Sequence, residues 1–99
     1  MNYIDPTFNA TQTLQLNTRA EATDTVVWQI TKEGEDTHSI TFSSPDTHAN
    51  LVDGTYYQEL NVDFTALGAS FSDETFYTVK ALVGSKVVYR GRILSTQKD

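Results

Sequence analysis

The chain of 99 residues contains no cysteine, so the fold has no disulfides and any metal site in it lacks thiolates. Basic residues are scarce: seven Lys and Arg stand against thirteen Asp and Glu, a net charge of −6. That balance makes the molecule a poor ligand for nucleic acid or anionic lipid, and neither is expected as a partner. No apolar run approaches the roughly 18 residues that a spanning helix needs. The opening MNYIDPTFNATQTLQLN lacks the basic and apolar regions of a secretory signal. The expectation is therefore a product that starts at its own Met1 and folds in a cytosol. Without a signal, the glycosylation triplet Asn9-Ala10-Thr11 reads as chance.

The residues of catalysis are thin as well. Nucleophilic catalysis needs a Ser, Thr or Cys beside a base and an orienting acid. Only His38 and His48 are present, and there is no Gly-x-Ser-x-Gly elbow. The glycines are scattered at 34, 54, 68, 84 and 91, which leaves no phosphate cradle. Both histidines close the tripeptide Asp-Thr-His, at Asp36–His38 and Asp46–His48. On a strand, residues i and i+2 share a face, so each Asp/His pair has chelating spacing. However, both aspartates sit at turn signals that favour local hydrogen bonding, and His38 falls on an apolar row, where a partly buried histidine is expected. Glu33, Glu35 and Asp36 crowd a turn tip, and a glycosidase cleft requires larger scaffolding. The reading is no enzyme, no cofactor and no metal.

What is present is strand pattern. A hydrophobic fraction of 38% with eleven aromatics supplies one modest core, and the length suits one domain. Residues 1–10, with Tyr3, Ile4 and Phe8 around Pro6, read as an N-terminal arm or edge segment, and residues 11–99 as a single β-sandwich domain. Residues 11–17 set Leu14 and Leu16 on one side, and residues 24–31 do the same with Val26, Trp28 and Ile30. Residues 37–43 align His38, Ile40 and Phe42; a polar loop over Ser43–Asn50 and an Asp53-Gly54 turn come next. Residues 55–64 carry the row Leu60, Val62 and Phe64, with one short helical turn expected at Phe64–Leu67. Residues 75–83 and 86–94 are the strongest strands. About seven strands in this length predict an immunoglobulin-like antiparallel β-sandwich, with Trp28 spanning the sheets. Tyr77, opening Tyr-x-Val-x-Ala after a loop with Leu67 and Phe71, resembles the tyrosine corner of such domains.

The last hairpin defines a candidate contact face. A two-residue loop at Gly84-Ser85 places Arg90 and Arg92 in the core, which is costly. A three-residue loop, Gly84-Ser85-Lys86, instead pairs Val83 with Val87, Ala81 with Tyr89, Val79 with Gly91 and Tyr77 with Ile93. The opposite face then pairs Leu82 with Val88, Lys80 with Arg90, Thr78 with Arg92 and Phe76 with Leu94. Cations set opposite each other repel unless an anion lies between them. Apolar groups mixed with cations on a wet face make a contact surface, unless carboxylates on a neighbouring strand neutralise it. Residues 1–79 hold 2 basic and 12 acidic residues, a balance of −10, and residues 80–99 hold 5 and 1, a balance of +4. The candidate protein-interface residues are Lys80, Leu82, Val88, Arg90 and Arg92, with Tyr3, Ile4 and Phe8 of the arm, which packs on its own domain or adds a strand to a neighbour's sheet.

The closing run Phe76-Tyr77-Thr78-Val79-Lys80-Ala81-Leu82-Val83-Gly84-Ser85-Lys86-Val87-Val88-Tyr89-Arg90-Gly91-Arg92-Ile93-Leu94-Ser95-Thr96-Gln97 is similar to the ends of small virion proteins of tailed bacteriophages. In those, a Tyr-Arg-Gly segment closes a final hairpin before a short polar tail. The Thr-rich opening with its Trp strand looks like the same proteins. The resemblance implies an immunoglobulin-like capsid decoration or cement subunit that binds and stabilises the head shell, its partner the major capsid protein or another virion protein. Its place is then the virion, assembled in the host cytoplasm, with homo-oligomerisation possible in such an array. A tail, baseplate or receptor-contacting adaptor, or a carbohydrate-binding module with aromatics exposed in a row, are the alternatives.

Overall fold

The computed structural model describes residues 2–7, 11–21 and 23–97. Among these residues eight strands form: β1 (Asn2–Ile4), β2 (Gln12–Leu16), β3 (Val26–Lys32), β4 (Ile40–Ser44), β5 (Ala49–Asp53), β6 (Gln58–Val62), β7 (Thr75–Val83) and β8 (Lys86–Ser95). They make two sheets, a five-stranded one in the order β1-β8-β7-β3-β4 and a three-stranded one in the order β2-β6-β5. Every pairing is antiparallel except β1 with β8, which is parallel. This is a β-sandwich, with one mixed and one antiparallel sheet.

Alternation produces it. In β3 the burial pattern places Val26, Trp28 and Ile30 in the core, with Val27 and Gln29 facing out. In β7 Tyr77, Val79 and Ala81 do the same. The three-stranded sheet answers with Leu14, Leu16, Leu51, Leu60 and Val62. A relay of rings then ties the layers together. Trp28 stacks on Phe42 with centroids 6.3 Å apart, and edge-to-face contacts run from Phe42 to Phe64, Phe71 and Tyr77 at 5.9, 4.9 and 5.1 Å. Each such pair adds about 0.5–1.5 kcal/mol beyond area burial. The Tyr77 hydroxyl accepts from Ser72 N at 2.8 Å, the bond of a tyrosine corner.

Several expectations change. The strands number eight because β5 lies partly in the stretch read as a polar loop: Ala49 and Leu51 point inward from a short, otherwise polar strand. The sixth strand starts at Gln58, so Tyr56 and Tyr57 belong to the β5–β6 turn. His38 precedes β4 and is exposed; its Nδ1 lies 2.9 Å from Thr31 Oγ1. The apolar row of that strand begins at Ile40 instead. Over residues 64–68 a turn forms, with Leu67 N donating to Asp63 O.

The final hairpin turns on two residues, Gly84 and Ser85, and not on the expected three, so Val83 lies opposite Lys86 rather than Val87. Gly84 has φ +62°, which a side chain adopts only at a cost. A β-bulge then shifts the register: Leu82 faces Val87, Ala81 faces Tyr89, and Val88 is the extra residue. From there on Lys80 faces Arg90, Val79 faces Gly91, Thr78 faces Arg92, Tyr77 faces Ile93 and Phe76 faces Leu94, as the apolar pattern requires. The tight turn and the correct faces are both satisfied, and one inserted residue reconciles them.

Candidate protein-docking face

The outer face of the five-stranded sheet has no layer over it among the described residues. The paired register sets its side chains in rows. One row runs Ser43, Val27, Leu82 and Val87. The next runs Thr41, Gln29, Lys80 and Arg90, and a third Thr31, Thr78 and Arg92. Phe76, Leu94 and Tyr3 form the last. Two apolar rows thus frame two that carry cations.

Arg92 is neutralised. Its Nε and Nη2 donate to Glu33 Oε1 and Oε2 at 2.7 and 3.0 Å, and its guanidinium lies 3.8 Å from the Phe76 ring centroid. The pair is half exposed, so it contributes at most about 1 kcal/mol, and its main effect is to fix the arginine flat on the sheet. Lys80 and Arg90, directly opposite each other, have no ion-pair partner among the described residues. Neutralisation by carboxylates is therefore partial. Glu33 was legible as the partner, since Val27, Gln29, Thr31 and Glu33 keep the same parity along β3 and just beyond it.

Of the residues expected at an interface, Lys80, Leu82, Arg90 and Arg92 share this face, and Tyr3, 48% exposed, joins it opposite Leu94. Val88 does not: the bulge turns it into the core, and Val87 stands outside in its place. Ile4 does not either, being fully buried beneath the parallel β1–β8 pair. Phe8 lies outside the described residues. Described residues 2–4 of the arm therefore add a strand to their own sheet.

The Tyr89-Arg90-Gly91 triplet has a structural basis. The Tyr89 ring lies along β8 over Gly91, and a Cβ there would overlap its hydroxyl and ring. The glycine is the space the tyrosine occupies. Burial pushes the Tyr89 phenol above its ordinary pKa.

The two Asp-Thr-His copies fall in separate connections, before β4 and between β4 and β5. No group of three or more His, Asp or Glu side chains with ligating geometry exists among the described residues. Patterning missed the exposure of Tyr56 (87%) and Tyr57 (42%), which an alternating reading of 55–64 had extended into a strand.

No family model, curated protein or solved structure matches the chain.

Proposed function

We propose that this domain is an adhesive structural subunit of a bacteriophage virion, a decoration or cement protein that binds the head shell through the open face of its five-stranded sheet. The observation that carries the reading is the Lys80–Arg90 cross-strand pair, without a described counter-ion and framed by Leu82 and Val87 on one side and Phe76, Leu94 and Tyr3 on the other. Cations side by side raise the energy of the free sheet slightly, and a carboxylate from a partner relieves it. The apolar rows supply the desolvated contact around that charge. An acidic patch on the major capsid protein or another virion protein is the matching partner. The virion assignment rests on the resemblance of the closing hairpin, and the sandwich chemistry requires no catalytic step. Many copies on a repeated shell hold by avidity even where each contact is weak.

The test is rebinding. Particles assembled from the encoding genome without this chain should bind the purified domain saturably, more weakly as salt rises. No binding to such particles contradicts the virion reading.

A second reading has one observation in its favour. Tyr56 and Tyr57 stand exposed beside the polar outer face of β2 and β6, where Gln15 Nε2 donates to the Tyr57 hydroxyl at 3.2 Å. An aromatic platform beside amide groups suits a sugar ring. Glycan binding abolished by Tyr56→Ala would favour this reading over the first.

A further inference from the structure

The five-stranded sheet is incompletely closed along β8. β1 pairs only with Ile93–Ser95, so among the described residues the first part of β8 has no strand beside it on that side. Thr96 N donates to Ile4 O at 2.9 Å, which fixes the parity: even-numbered residues of β8 turn their backbone groups toward the β1 side. Further up the strand, Val88 O accepts from Arg19 N at 2.9 Å. Between these two closures Arg90 presents both N–H and C=O to the edge, with no backbone partner on that side among the described residues.

The same place is concave. The bulge at Val88 and the 17–19 segment enclose an open groove of about 380 Å³ lined by Asn17, Arg19, Val87, Val88, Tyr89 and Arg90. Its lining holds two arginines and no carboxylate, and neither arginine has an ion-pair partner among the described residues. Lys86 stands exposed at the turn end of the strand. Three features converge on one stretch: a free ladder position, a groove and uncompensated positive charge.

We infer that the Val87–Arg92 edge of β8 accepts an extended acidic segment of a partner protein, which adds a strand in line with β1. Main-chain bonds to Arg90 hold the segment, and carboxylates on alternate residues reach Arg19 and Arg90. The same cations exclude strands that are basic, including another copy's Lys86–Arg92 edge. This surface adjoins the open face and shares Val87 and Arg90 with it, while Arg19 and the backbone edge of β8 belong to it alone.

The experiment titrates isotopically labelled full-length domain with a synthetic peptide alternating Glu and Val, and with two controls. In one, Lys replaces Glu; in the other, the central Val is Pro, which has no N–H to donate to the ladder. Binding of the acidic peptide with shifts and exchange protection centred on the Arg90 amide, loss for both controls, and at least about tenfold weakening by Arg19→Glu support the inference; tenfold corresponds to about 1.4 kcal/mol. Lys80→Glu should leave this binding within about threefold, which separates the edge from the open face. No binding, binding retained by the proline peptide, or shifts confined to the Lys80 and Gln29 row overturn it. Protection of the Arg90 amide that rises with protein concentration and needs no peptide also overturns it, by making a second copy the occupant.

Discussion

Trp28 donates Nε1 to Ser44 Oγ at 2.9 Å in the middle of the core, so a small hydroxyl satisfies the largest buried side chain. Removing the acceptor strands a buried donor, and Ser44→Ala should lower stability by about 1–3 kcal/mol in denaturant titration. Ser95 is the opposite case: it is equally buried, but its Oγ has no hydrogen-bond partner among the described residues. Ser95→Ala should therefore be neutral or stabilising in the same titration. Neither role was legible in the sequence, where Ser44 reads as the opening of a polar loop beside Pro45. Trp28 and Tyr77 were legible as core aromatics, because a two-residue period needs no knowledge of the partner strand. Gly91 offers a pair test: Gly91→Ala should cost about 1–3 kcal/mol by displacing Tyr89, and clearly less in a Tyr89→Ala background.

Within elements, the closing hairpin shows what patterning resolves and what it misses. Requiring apolar residues on one face gave the pairings from Ala81–Tyr89 to Phe76–Leu94, which the ladder contains. It placed the extra residue in the turn, whereas it sits at Val88 as a bulge. Parity arguments count residues between two points, and an insertion anywhere between them has the same effect on every pairing farther from the turn. Turn chemistry decides the place: Gly-Ser forms a two-residue hairpin turn without strain. The consequence is sharp at two neighbours. Val88→Lys should destabilise by at least about 2 kcal/mol, because Val88 is buried. Val87→Lys should stay within about 0.5 kcal/mol, as for an ordinary surface change. Thermal unfolding of the two variants reads the bulge directly. β5 escaped notice for a related reason: with Ala49 and Leu51 as its inward residues, a five-residue strand carries too little apolar signal to stand out from a loop.

For the whole molecule, three basic residues of the closing hairpin gather on one face. The three-stranded side carries Asp53 and Glu59, with Asp46 and Asp63 adjoining, while Lys80, Arg90 and Arg92 lie on the open five-stranded face. Alkaline stability has one identified determinant. The folded Tyr89 phenol titrates above its ordinary value of about 10 because burial disfavours the phenolate. The unfolded chain therefore loses this proton first, and stability is intact below about pH 10 and falls as pH rises toward the folded pKa. Tyr89→Phe should flatten that alkaline decline while leaving the neutral pH dependence unchanged.

The central claim is that the Lys80–Arg90 row makes the contact with the partner shell. The direct measurement is the affinity of the folded Lys80→Glu, Arg90→Glu double variant for particles assembled without this chain, beside the unaltered domain. The account predicts a loss of at least about a hundredfold, near 2.7 kcal/mol, at unchanged thermal stability. Equal affinity of a folded double variant contradicts it.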